Sequence, residues 1–326
     1  MTFNFTATPD FDFVSGFAQH IQATVHDGVL EIPKDLGQGY IRKLMFGADF
    51  KITIHHYLLK EDLIIKRNPS SVVNDLITVF LYCNEQSLGI AFNDTTRITF
   101  SERDDSAIQV TSNDLSSNIR FPANENVHYM VVAIKPERLT ELIAFDQPNS
   151  TLQTISTNGS SFLYFENMPV ETRLLLKNLV AVDMKDTLSN FYMQIKVQEL
   201  LYQVFHKLSL RENTDQQIIN SADAARVLHI RNEIIRDLSQ PPVLRELAHI
   251  AAMSETKLKQ LFKQTFGTTI YTYFQQARME EAAFLLKKGK RSVAEVGYEM
   301  GFSNLSHFSR LFEKHYGLNP KRYSYS

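Results

Sequence analysis

The sequence predicts an α+β multidomain chain: an N-terminal β-barrel with a helical hairpin, then an all-α C-terminal domain with two helix-turn-helix motifs. Three observations predict it. Up to about residue 165, short β-branched and aromatic runs alternate with polar turns. From about Pro169 the apolar period becomes helical. Near the end of the chain one local pattern occurs twice, as LRELAHIAAMSETKLKQLFKQTFG from Leu244 to Gly267 and as VAEVGYEMGFSNLSHFSRLFEKHYG from Val293 to Gly317.

In chain order, the strand candidates are KITIHHYLL (51–59), LITVFLYCN (76–84), TRITFSE (96–102), AIQVTSN (107–113) and VHYMVVAI (127–134). Turns such as NDTT, ERDDS and PANEN separate them. Short strands at regular spacing indicate a barrel or sandwich. PERLTELIAF (136–145) reads as a helix with Pro136 in its first turn, where a missing N–H costs nothing. VETRLLLKNLVAV and LSNFYMQIKVQELLYQVFHKL (188–208) form the helical hairpin. In the second helix Val197, Leu200, Leu201, Val204, Phe205 and Leu208 share one face. That face either packs within the chain, covering the barrel, or forms a homodimer interface. SLRENTDQQIIN (209–220) is polar and aperiodic and reads as a linker. ADAARVLHIRNEIIRDL then runs to a stop at Pro241 and Pro242. Between the repeated motifs lies TIYTYFQQARMEEAAFLLKKG (269–289), whose Lys287, Lys288 and Gly289 suit a helix C-terminus. The expected division is 1–165 for a β-rich domain, 166–212 for the hairpin, 213–222 for the linker and 223–326 for the helical domain that carries both motifs.

The 326 residues suffice for two or three cores. Cys83 is the single cysteine, which excludes an intrachain disulfide and any Cys-based zinc cluster. A reducing, cytoplasmic compartment fits. MTFNFTATPDFDFVSG lacks the basic and apolar regions of a signal peptide, and no apolar run is long enough for a transmembrane helix. Net charge is −2, but from Arg226 onward there are 16 Lys and Arg against 9 Asp and Glu, leaving 18 against 27 upstream. A basic C-terminal part suits a polyanionic partner.

Each repeated pattern reads as a short helix, a tight turn, a Ser N-cap (Ser254, Ser303) and a second helix ending at Gly. Leu258, Leu261 and Phe262 point inward in one copy, Phe308, Leu311 and Phe312 in the other. The opposite faces are polar and basic, with groups able to pair with base edges and phosphates in a DNA groove. The intervening helix is long enough to hold two such units about one DNA turn apart.

LAHIAAMSETKLKQLFKQTFG, ARMEEAAFLL and VAEVGYEMGFSNLSHFSRLFEKHYGLNPKRY together resemble the AraC/XylS family of bacterial transcription regulators, and GFSNLSHFSRLFEKHYGLNP matches its most specific signature. The resemblance covers residues 222–324 and implies a seven-helix domain whose two motifs enter adjacent major grooves. It implies base contacts by Thr256, Lys259 and Gln260 in the first motif and by Leu305, Ser306 and Arg310 in the second. Ser254, Lys263, Ser303 and Asn304 are implied as backbone contacts. Four residues depart from the family's pattern: Ala252 where Gly is common, Gly297 where Ala is usual, Ser324 where an Arg often follows the final Tyr, and Leu305, apolar at a base-reading position. The upstream half resembles the family's cupin-like effector domain, which implies a small-molecule effector, with RNA polymerase as a further partner. No residue is assigned to the effector.

A cupin-like barrel also admits a second reading, a small-molecule-binding or enzymatic protein with a degenerate DNA-binding tail. Cupin metal sites need an HxH pair. His55 and His56 are adjacent, so on a strand they face opposite ways, and neither His26 nor His128 supplies the spacing. No metal, cofactor or catalytic residue is predicted. Tyr57, Phe80, Tyr82 and Tyr129 lie on candidate strands, either as core or as the lining of an effector cavity.

Overall fold

The computed structural model describes the chain apart from residues 85–87, 93–95, 101–106, 145, 158, 181, 183–185, 214, 290 and 326, and describes 88–92 and 96–100 through their backbone. The NDTT and ERDDS turns lie largely or wholly outside the described residues. Two compact units form, Met1–Ala225 with Gln264–Gly267, and Arg226–Lys263 with Thr268–Ser326.

The first unit opens with β1 (Thr2–Thr6) and α1 (Phe13–His20). The Asp12 carboxylate caps α1 by accepting from the N–H groups of Val14 and Ser15. Strands follow as β2 (Val25–His26), β3 (Val29–Glu31), β4 (Gly37–Met45), β5 (Phe50–Leu59), β6 (Leu63–Asn68), β7 (Ile77–Tyr82) and β8 (Leu88–Phe92). Next come β9 (Thr96–Phe100), β10 (Ile108–Ser112), β11 (Ser117–Phe121) and β12 (Asn126–Ile134). Helices α2 (Pro136–Ile143) and α3 (Ser150–Ser156), strand β13 (Leu163–Glu166), and helices α4 (Val170–Val180) and α5 (Ser189–Ser209) complete it. Among the described residues the strands form two sheets, in the orders β1-β6-β11-β8-β9 and β13-β10-β7-β12-β5-β4-β3-β2. Only β1 and β6 pair in parallel within them. β4 runs beside β5 only because Gly39 is a glycine: it sits at φ +108°, and a Cβ there would overlap the His56 carbonyl oxygen.

The pleat sorts the eight-stranded sheet into two faces. Ile52, Ile54, Val79, Leu81, Val110 and Val132 point to one face and join Leu176, Leu179, Val197, Leu200 and Phe205 of the hairpin in one buried core. All six apolar positions noted on α5 are buried there, so that face packs within the chain. Each such side chain contributes ~1.5–3 kcal/mol of burial. The other face carries Thr53, His55, Phe80 and Tyr129 and turns toward the five-stranded sheet, enclosing a cavity of about 100 Å³. Phe80 and Tyr129 line this cavity, whereas Tyr57 and Tyr82 are buried on the same strand faces without lining it.

The polar segment after α5 is irregular but tied down. The Asn149 side-chain amide donates to the carbonyls of Leu208, Ser209 and Arg211 at 2.9, 3.1 and 3.1 Å. Asn213 accepts from the Ser150 N–H at 2.8 Å, and the Tyr164 hydroxyl donates to Gln216 at 3.0 Å. Its polar composition supplies hydrogen-bond partners at these positions.

The C-terminal residues carry seven helices among those described, matching the number the family resemblance implies. They are α6 (Ser221–Arg236), α7 (Leu244–Ile250), α8 (Glu255–Phe266), α9 (Ile270–Lys287), α10 (Val293–Glu299), α11 (Leu305–Tyr316) and α12 (Pro320–Tyr323). On α9, Met279, Ala282, Ala283 and Leu286 are buried with Val296, Phe302, Phe308 and Phe312 in one core.

Candidate nucleic-acid interface

In the first motif, Leu247 and Ala248 of α7 are buried, and the chain turns at Ala252, whose φ is +48°. A side chain in that left-handed region costs ~1 kcal/mol relative to glycine. The Ser254 hydroxyl then caps α8, accepting from the Lys257 N–H at 3.2 Å. Leu258, Leu261 and Phe262 are completely buried. That anchoring leaves Thr256, Lys259 and Gln260 exposed on the opposite face, with Lys263 half-buried at its end.

The second motif is not a copy of the first. Helices α7 and α10 start 49 residues apart, whereas α8 and α11 start 50 apart, so the second turn is one residue longer. A capping box opens α10: Ser292 accepts from the Glu295 N–H at 3.3 Å and the Glu295 carboxylate from the Ser292 N–H at 2.7 Å. Gly301 takes the left-handed turn at φ +74°. The extra turn residue moves the cap one position on. Asn304 caps α11, accepting from the N–H groups of Ser306 and His307 at 2.9 and 3.1 Å, so Ser303 is not the cap the sequence suggested. Ser303 is exposed in the turn.

On α11, Phe308 and Phe312 are buried and Leu311 half-buried. Ser306 and Arg310 are exposed, the Arg310 Nε lying 3.4 Å from the Ser306 carbonyl. Leu305 differs from its neighbours: it is half-buried and packs toward Gly297. A Cβ on Gly297 would come within 2.6 Å of Leu305 Cδ2 and 3.1 Å of Phe308 Cδ1. Gly297 is therefore the slot through which α10 and α11 cross, and Leu305 fills it.

Arg278 is a residue the sequence reading missed. On the buried side of α9, its Nε donates to the Met300 carbonyl at 2.9 Å, and its guanidinium lies 3.9 Å from the Phe302 ring centroid. It thus satisfies an open carbonyl at the end of α10 and fixes the second turn. An arginine among Ala277, Met279 and Ala282 is the signal that marks it in the sequence. The 18 residues of α9 span ~27 Å, comparable to the ~34 Å of one DNA turn.

Two negative findings bear on other chemistry. Among the described residues no group of three His, Cys, Asp or Glu side chains is placed to hold a metal ion. Nor is any described helix long and apolar enough to cross a membrane.

Residues 247–325 match the family described as a helix-turn-helix domain. The chain is 31% identical over 97 residues to an uncharacterized HTH-type transcriptional regulator of Haemophilus influenzae, covering 29% of this chain and 33% of that protein. It is 23% identical over 219 residues to the probable transcriptional regulator LumQ of Photobacterium leiognathi, covering 67% and 84%. The match thus spans about a third of the first relative's length and most of the second's. Among solved structures, an apo point variant of ToxT from Vibrio cholerae is similar at 15% identity, with 85% of this chain and 97% of that chain covered and a TM-score of 0.33.

Proposed function

We propose, on a C-terminal domain that is an AraC/XylS-type double helix-turn-helix, that this protein is a sequence-specific DNA-binding transcription regulator controlled by a small-molecule effector in its N-terminal β domain. The observation that carries the reading is the pair of exposed polar faces, each backed by a buried apolar stripe, on α8 and α11. Thr256, Lys259 and Gln260 read bases from the first face, and Ser306 and Arg310 from the second. Ser254, Lys263, Ser303 and Asn304 lie along the phosphates. Leu305 contributes by holding α11 in place. The partner is double-stranded DNA, with RNA polymerase contacted at the promoter. A homodimer would use the exposed Phe191, Ile195 and Tyr202 of α5, since the opposite face of that helix is already buried. The protein acts in the cytoplasm and is not an enzyme. The domains follow the division at 1–165, 166–212, 213–222 and 223–326.

Selection of bound genomic fragments by the full-length protein, followed by footprinting, tests this. Lys259→Ala and Arg310→Ala are each expected to weaken specific binding by ~1–3 kcal/mol and to relax preference at one base pair. Unchanged affinity in both variants would defeat the base-reading assignment. A chain that selects no DNA would favour the alternative, a binding or enzymatic barrel with a degenerate tail.

A further inference from the structure

Strand β6 breaks its own pattern. Leu63, Ile65 and Arg67 alternate on the buried face, so a guanidinium occupies a position the pleat reserves for an apolar side chain. Arg67 is 5% exposed. It lines the cavity between the two sheets, flanked in register by Phe5 of β1 and Ser117 of β11, which also line it.

The other cations on this cavity have partners. Lys43 is paired with Asp12, and Lys51 donates to the carbonyls of Pro9 and Phe11. Arg67 has none among the described residues: its Nε and Nη1 are buried without a hydrogen bond, and no carboxylate lies within ion-pair distance. Asp114 acts on it only through its field, and burial pulls the Arg67 pKa down to about 10, which leaves it charged at neutral pH. A buried cation without a hydrogen-bonded partner is costly, and an anion entering the cavity would relieve that cost. The walls around it are apolar, among them Phe5, Ile65, Phe80, Phe121 and Val131. Their chemistry disfavours a hydrated inorganic anion and favours a carboxylate attached to an apolar body. Size narrows the class. The volume of about 100 Å³ is below the ~150 Å³ of an apolar cavity that takes benzene.

We propose that this cavity binds a small organic acid, a single carboxylate on a short aliphatic body smaller than a benzene ring, with Arg67 as its anion-binding residue. The proposal rests on the effector reading above and specifies the effector's class. Arg67 supplies paired N–H donors suited to a carboxylate. His55, stacked on Tyr129 at 4.1 Å, offers an unpartnered Nδ1 on the opposite wall. Its Nε2 is occupied by the Thr53 hydroxyl at 3.0 Å.

The test is calorimetric titration of the full-length protein, without DNA, with propionate, isobutyrate and isovalerate, each beside its primary amide. Sodium phosphate and oleate serve as further probes. At least one small acid is expected to bind, with its amide weaker by about tenfold to a hundredfold. Arg67→Met is expected to lose the preference for acid over amide while keeping its circular dichroism and melting midpoint, because an apolar side chain of similar length replaces a buried charge. Arg67→Lys is expected to retain part of it. Four outcomes overturn the proposal: no small acid binds, amides bind as well as acids, Arg67→Met binds the acid like wild type, or phosphate or oleate binds best. Operator binding is measured separately with the same protein. Acid binding without DNA binding leaves the site standing and removes the regulator reading, and the converse removes the site alone.

Discussion

Gly297 and Leu305 are each out of place until seen together. A glycine inside a seven-residue helix weakens it by up to ~1 kcal/mol, and an apolar side chain has little to offer most base edges. The structure joins them: Leu305 occupies the space a Cβ on Gly297 would need. Gly297→Ala is therefore expected to destabilise the C-terminal domain by ~1–3 kcal/mol through overpacking, despite the gain in helix propensity. Leu305→Ala in the same chain is expected to recover most of that loss. Thermal unfolding of the two single variants and the double variant gives the coupling directly, and additive effects would show that the side chains act independently. The exposure of Thr256, Lys259, Gln260, Ser306 and Arg310 was legible from the sequence because it follows from the buried stripe on the opposite face. The partnership of Gly297 with Leu305 and the grip of Arg278 on Met300 were not, since both depend on how two helices cross.

Helices α8 and α11 differ in the polar groups they expose. Helix α8 exposes Thr256, Lys259 and Gln260, whereas α11 exposes Ser306 and Arg310 and commits Leu305 to packing. The first motif is accordingly expected to anchor binding. Replacing Lys259 and Gln260 together by Ala should cost more affinity than replacing Ser306 and Arg310 together, by about one bidentate base contact, ~1–3 kcal/mol. Footprints of the two double variants on one operator decide the ordering, and a larger loss from α11 would reverse it. Elements were legible where apolar periodicity was undiluted: β5, β7, β10, β12, α5 and both motifs lie where their patterns place them. Strand β4 escaped notice because Gly37, Gly39, Arg42 and Lys43 interrupt its alternation. So did β6, whose inward Arg67 disguises a buried strand. The features that hid these strands include the glycine that lets β4 approach β5 and the cation on the cavity.

At the scale of the whole molecule, the N-terminal unit carries a built-in sensitivity to acid. The sequence showed a basic C-terminal part and an acidic N-terminal part, but not which histidines would be buried, because that depends on the pairing of β5 with β12. In the N-terminal unit, burial pulls the His55 pKa down to about 3 and that of His128 to about 4, with His128 and His56 as smaller like-charge contributions respectively. Both imidazoles are therefore neutral in the folded unit at pH 7, while in the unfolded chain they titrate near 6.5. Below 6.5 the unfolded chain takes up protons that the folded unit excludes. The contribution of these histidines is therefore fully present above that pH and is lost as pH falls toward 4 and then 3. Each group contributes at most ~1.4 kcal/mol per pH unit in that window, so lowering pH from ~6.5 to ~5.5 should cost the N-terminal unit about 2 kcal/mol. With no tryptophan in the chain, urea unfolding is best followed by far-ultraviolet circular dichroism at pH 7.5 and 5.5. His128→Asn should flatten the pH dependence by about half if His128 and His55 contribute equally over this window. An unaltered slope would mean that other groups govern the acid response and that burial of the strand histidines is energetically silent.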